Sequence, residues 1–208
     1  MIRPTSIGVS VACLLMLAAC SGGGTPTEHS EATGSGSMTS SAPPVGQAPT
    51  RTDSRTERLS CAEFIDTQAP SEDLEVVLGV VALPTSPGAA ALQTGRTGDT
   101  NPATRLFAKT GLLIKADSTF ELAAAGPNAA SFSIGWGNLR HRGRRIVVEN
   151  CHGPSGSAGW LAYAGGYWTR DPKCVSLLVK AHGKEQRVRI GLGVACPGQQ
   201  PPTGPSQG

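Results

Sequence analysis

The residues best equipped for chemistry are four histidines, six cysteines, a run of arginines and one dense aromatic stretch. The histidines are His29, His141, His152 and His182. None lies in a Gly-x-Ser-x-Gly, His-Glu-x-x-His or Ser-x-x-Lys frame, so the usual local signatures of nucleophilic or zinc hydrolysis are missing. Gly153-Pro154-Ser155-Gly156-Ser157 reads as a loop, because no strand-to-helix turn surrounds it. The Gly-x-Gly pairs at 135/137 and 191/193 fall inside strand-like sequence with no helix behind them. They are read as bulges or points of close backbone approach rather than phosphate loops. A hydrolase would have to assemble its site from distant Ser, His and Asp residues, and that stays open as the alternative. No catalytic residue, metal ligand or cofactor is assigned.

Binding chemistry is better represented. Both tyrosines and two of the three tryptophans fall in the stretch 159–168, as Trp160, Tyr163, Tyr167 and Trp168. Flat rings beside glycines can stack on a sugar or a peptide, or they can fill a core that has only four phenylalanines to draw on. Arg140-His141-Arg142-Gly143-Arg144-Arg145 is the sharpest basic cluster. Residues 59–100 carry one Arg against six acids, and residues 101–208 carry thirteen basic residues against five acids, so charge is split from −5 to +8 along the chain. The basic part could meet phosphate-rich polymer or anionic headgroups, or simply be a solvated turn that blocks edge pairing. Trp160, Tyr163, Tyr167, Trp168, Arg142 and Arg144 are therefore the candidate ligand contacts. No nucleic-acid motif accompanies the charge.

The elements that must position these residues are strands. Residues 75–83 form an apolar, β-branched run. Residues 131–136 alternate, with Phe132, Ile134 and Trp136 on one face. Residues 187–194 alternate as well, with Val188, Ile190, Leu192 and Val194 inward. Weaker strand signals lie at 105–108, 112–115, 119–123, 145–149, 160–163 and 175–181. Turn sequences separate them at 116–118, 126–128, 171–172 and 182–184. Ser60 with Glu63 forms a capping-box pattern that predicts one helical turn. Eight or nine short strands predict an all-β fold, a single antiparallel β-sandwich or barrel-like domain spanning 59–196.

The ends of the chain read differently. Arg3 precedes an apolar run over 7–19 that is too short to cross ~30 Å of hydrocarbon comfortably and fits a signal peptide over 1–19. Leu17-Ala18-Ala19-Cys20 resembles the lipobox of bacterial lipoproteins. That resemblance implies that the Cys20 thiol accepts a diacylglyceryl group with palmitate-type chains and becomes the mature N-terminus. It places the protein on the extracytoplasmic face of the cell membrane, where two or more acyl chains make a stable anchor. Residues 21–58, rich in Ser, Gly, Thr and Pro, are expected to be a disordered tether, and 197–208 a disordered tail. The stretch 160–168, Cys174-Val175 and 188–193 are similar to small, uncharacterised lipoproteins and secreted proteins of high-GC Gram-positive bacteria; that likeness implies no activity.

With Cys13 in the signal and Cys20 taken by lipid, Cys61, Cys151, Cys174 and Cys196 remain. An even count in an oxidising compartment implies two disulfides. Of three possible connectivities, Cys61–Cys196 with Cys151–Cys174 would staple the domain ends and clamp the aromatic stretch. The sequence thus describes a lipid-anchored, non-enzymatic binding or scaffolding module of the cell envelope, with wall polymer or an envelope protein as partner.

Overall fold

The computed structural model describes residues 55–204, apart from 139 and 155–158. The expected signal peptide, Cys20 and most of the expected tether lie outside the described residues. Among the described residues, eleven strands form two sheets. One holds β1 (Thr56–Arg58), β8 (Arg145–Glu149), β6 (Thr119–Ala125), β10 (Lys173–Ala181) and β11 (Lys184–Leu192), in that order. The other runs β2 (Glu75–Val77), β3 (Val81–Leu83), β5 (Leu106–Lys115), β9 (Trp160–Thr169) and β7 (Phe132–Trp136), with β4 (Gly95–Arg96) against β5. Every strand pair is antiparallel except β1 with β8. This is the sandwich the alternation predicted.

The core lies between the sheets. On β5, Leu106, Ala108, Leu112 and Ile114 point inward. On β11, Val188, Ile190 and Leu192 do the same, and Leu122, Ile146, Val148, Leu177 and Val179 complete the opposite wall. Each fully buried Leu, Ile or Val contributes about 1.5–3 kcal/mol from removed apolar surface. That burial fixes register, because a one-residue slip would turn each strand's apolar set outward.

Both open sides of the sandwich are bridged. On one, Gly143 exchanges two backbone hydrogen bonds with Ile134 of β7 (2.8 and 3.0 Å) just before its chain enters β8 of the other sheet. On the other, Leu92 bridges to Leu192 at the end of β11, and three residues later Gly95 pairs with β5. Edges that would otherwise invite pairing with other chains are thereby covered.

Several expectations change. The run at 75–83 is two strands rather than one. Leu78 and Gly79 both have positive φ (50° and 73°), and the Val80 N–H donates to the Val77 carbonyl at 3.1 Å. That is a tight turn within a three-residue connection, since Val77 pairs with Val81, and a leucine at its first left-handed position conceals it. The separate signals at 105–108 and 112–115 belong to the single strand β5. β7 is buried on both faces, because the 141–142 segment packs over Gly135. Val194 is exposed; the strand ends at Leu192, and Gly193 turns the chain at φ 70°. Cys61–Glu63 is one 3-10 turn, as expected, but the Ser60 side chain makes no cap bond and Glu63 instead accepts from the Asn138 N–H at 2.8 Å. Order also extends past the expected limits. β1 begins inside the expected tether. The expected tail is tied down as far as Gln200, whose N–H donates to the Ala89 carbonyl at 3.0 Å, while Gln199 accepts from the Gly191 N–H at 2.8 Å.

The disulfides form with a different pairing, Cys61–Cys151 and Cys174–Cys196, with Cα–Cα distances of 5.1 and 5.0 Å. Strand order explains it. β1 lies parallel to β8, and the Leu59 N–H donates to the Val147 carbonyl at 3.0 Å, so Cys61 arrives beside Cys151 just beyond β8. At the far edge, Cys174 on β10 faces Gly191, and the turn after Leu192 brings Cys196 back to it. The expected Cys151–Cys174 link would have to cross β6 and also run its length, since Cys151 lies past the Thr119 end of that strand and Cys174 past the Ala125 end, far beyond the reach of a disulfide.

Peptide mapping of the unreduced protein gives 61–151 and 174–196 linked fragments. Replacing Cys61 and Cys151 together by Ala lowers unfolding free energy in urea by about 2–5 kcal/mol; an unchanged midpoint contradicts this. Separately, the Tyr167 hydroxyl is fully buried with no protein partner among the described residues, so Tyr167→Phe leaves stability equal or higher. A loss above about 1 kcal/mol refutes that.

Candidate functional site

The rings of 159–168 are not on a loop. They sit on β9, a ten-residue strand between β5 and β7. Tyr163 and Tyr167 face the core and are fully buried. Burial pushes the Tyr163 hydroxyl up to about 12, helped by the nearby Glu63 charge, and pushes Tyr167 up as well. Neither can contact an outside ligand. Trp160 and Trp168 are on the outer face, at opposite ends of the strand. Trp160 is half-buried beside Leu74 and Leu113, with the Lys115 ammonium 5.5 Å from its ring.

Trp168 belongs to a cleft of about 920 Å³ on the outer face of the six-stranded sheet. Four separate stretches of chain build it. The loop and edge strand at 93–99 form one wall. Phe107 and Lys109 come from β5, Trp168 from β9, and Arg142 from the turn after β7. The geometry follows from register. Phe107 is directly opposite Trp168, with ring centroids 4.6 Å apart. Lys109 is directly opposite Gly166. Any Cβ at Gly166 would collide with the Ala108 carbonyl and come within 2.9 Å of the Phe107 ring.

Arg142 is held from two directions. Its guanidinium carbon lies 5.5 Å from the Trp168 ring centroid, a cation–π arrangement, and its Nη2 donates to Asp99 Oδ2 at 3.2 Å. Asp99 is itself fixed. Its carboxylate accepts from the Thr104 hydroxyl at 2.6 Å and the Asn101 N–H at 2.9 Å. Thr97 accepts from the Asp99 N–H and donates to the Thr104 carbonyl, both at 3.0 Å, and Asn101 caps the 3-10 turn Pro102–Thr104 through the Ala103 N–H at 3.0 Å. These bonds make the 97–104 loop a set wall. They hold the Asp99 carboxyl below the usual carboxylate range, the Thr104 bond first, then the Asn101 N–H, with Arg142 adding to both. Three cations, Arg96, Lys109 and Arg142, line the cleft against the single carboxylate Asp99. No histidine, serine or cysteine lines it.

No family model matches this chain, and no curated protein matches it.

Of the six candidate contacts, then, Trp168 and Arg142 come together, while Trp160, Tyr163 and Tyr167 lie elsewhere. Arg144 is also outside the cleft: its carbonyl accepts from Ala124 at 2.7 Å and its N–H donates to Arg55 at 3.1 Å, at the seam leading into β8. His152 pairs with Asp117 on an exposed surface, and His182 is an exposed turn residue with φ 52°. Among the described residues, no three His, Cys, Asp or Glu side chains converge as a metal site would require. Sequence reasoning missed Asp99, Phe107 and Lys109. The Gly98-Asp99-Thr100-Asn101-Pro102 run signals a turn, but nothing local indicates that it packs toward Trp168.

The Asp99 network predicts a pH dependence. Its folded carboxyl titrates below the ordinary value of 3.8, so its stabilisation is full above that value and is lost as pH falls through the lower, folded one. Thermal melts of wild type and Asp99→Asn are therefore furthest apart at neutral pH and converge in strong acid. A gap that stays constant down to pH ~2 contradicts the linkage.

Proposed function

We propose that this chain is a lipid-anchored, extracytoplasmic binding module of the cell envelope, whose ligand site is the Trp168–Arg142 cleft. One observation carries the reading. Four segments distant in sequence converge to hold Arg142, half-buried, between an aromatic face and a carboxylate that is itself locked by two further hydrogen bonds. Fixing a cation in this way costs ordering entropy, and a solvated surface arginine gains little from it. A pre-set donor in an open cleft is what a binding site needs, because the ordering is complete before the ligand arrives.

Location rests on the sequence. The lipobox-like Leu17-Ala18-Ala19-Cys20 supplies the anchor, and two disulfides suit an oxidising compartment. The lipid sets where the protein works; the cleft makes the contact. The partner in this reading is a wall polymer or another envelope component.

Cys20→Ala tests the anchor. The variant takes up no labelled fatty acid and leaves the membrane fraction, or accumulates as unprocessed precursor. Lipid labelling equal to wild type contradicts the anchor.

A further inference from the structure

We infer that the cleft recognises a phosphodiester group carried on a polyol or sugar chain. This rests on the binding reading above and adds the ligand class.

The argument starts from unused donors. Arg142 makes one hydrogen bond among the described residues, to Asp99, out of five N–H groups available to a guanidinium. The Lys109 ammonium has no partner among the described residues. Both line one open volume on the outer face of the sheet. The only carboxylate in the lining, Asp99, offsets one of the three cations, so the lining keeps a net positive charge.

An anion is therefore the expected guest. A guanidinium fork and a compact ammonium are the two side-chain types that bind phosphate oxygens, the first with direction and the second as a point charge. A tetrahedral phosphodiester presents two non-bridging oxygens sharing one negative charge and two ester oxygens around one centre, which suits donors arriving from a strand and a turn. A volume near 920 Å³ exceeds one phosphate and suits a chain segment. Exposed Arg140 and His141, next to Arg142 along the turn, extend the basic strip beyond the cleft mouth. Trp168 is 5% exposed and lies between Phe107 and Arg142, so it supports the arginine rather than stacking on a sugar. This distinguishes the site from a platform for neutral glycans, which would need a free aromatic face.

Two sources carry this chemistry at an envelope: a polyol-phosphate wall polymer and a glycerophospholipid headgroup. The full chain with Cys20→Ala, which takes no lipid, is titrated calorimetrically with poly(glycerol phosphate), and its sedimentation is measured with phosphatidylglycerol and phosphatidylcholine vesicles. Binding to the polymer or to the anionic vesicles, weakened roughly tenfold or more by Lys109→Glu and by Arg142→Gln, supports the inference and names the source. Arg187→Glu, on the opposite sheet, leaves affinity within about twofold. If Arg187→Glu weakens binding as much as Lys109→Glu does, the attraction is generic charge and the inference fails. If polygalacturonate, a carboxylate polymer, binds through Lys109 and Arg142 while neither phosphodiester probe does, the phosphate class is overturned and the cleft reading survives. If no probe binds, and whole-envelope extract also leaves the cleft residues unperturbed, both fall. Thermal melts of each variant confirm that the sandwich is intact.

Discussion

Gly165 and Gly166 lie where β9 is squeezed between β5 and β7, and the close approach they allow sets much of the rest. A Cβ at Gly165 would fall 2.6 Å from both the Cα and the ring of Trp136. With hydrogen there instead, the Trp136 ring crosses β9 and its indole N–H donates to the Thr110 carbonyl at 3.0 Å. The same ring meets Tyr167 edge-on at 5.3 Å. One residue on, Gly166 leaves room for the Phe107 ring on the opposite face, and Phe107 backs Trp168. The two glycines thus tie the core side of the sheet to its outer side, and the cleft rests on that tie. Glycine inside a strand ordinarily weakens it; here the lost side-chain packing is offset by two aromatic rings, buried Trp136 and half-buried Phe107, that approach the backbone directly.

The remainder of the sandwich keeps this central strand in place. β9 is hydrogen-bonded to β5 over its full ten residues and to β7 over its second half, while Asp66 pairs with Ala162 on the edge that β7 leaves free. The bridges at Gly143 and Leu92 close the sheets, and the segments that make them continue into the cleft: Arg142 directly precedes Gly143, and the 93–99 wall directly follows Leu92. Closing the fold and building the site are therefore one operation. Each disulfide fastens a neighbouring pair of chain ends at one edge of the five-stranded sheet, so the bridges brace the far layer and leave the cleft sheet to its own packing.

Local sequence carried the fold class because period-2 burial is a local signal. β11 read correctly at Val188, Ile190 and Leu192, and the Gly-x-Gly pairs are indeed close approaches: a Cβ at Gly135 would fall 2.9 Å from the His141 carbonyl. Elements governed by long-range contact were not legible. The 75–83 run hides a turn because the two left-handed residues are Leu78 and Gly79 rather than Asn-Gly. β7 alternates in sequence yet is buried on both faces, since its cover comes from a turn further along. Disulfide pairing depends on which strands share an edge, which no spacing reveals. Within the site, Trp168 and Arg142 stood out by type, while Asp99 and Lys109 looked like ordinary surface residues until register set them around one opening. The anchor at Cys20 is the reverse case, read entirely from four adjacent residues.

The account depends most on Trp168 and Arg142 forming the ligand wall while the other two tryptophans serve packing. The three indole N–H signals of the ¹⁵N-labelled full chain report this directly. On addition of poly(glycerol phosphate), the signal of Trp168 shifts and those of Trp136 and Trp160 stay in place. A shift confined to Trp160, or no shift at Trp168 at saturating polymer, would contradict it.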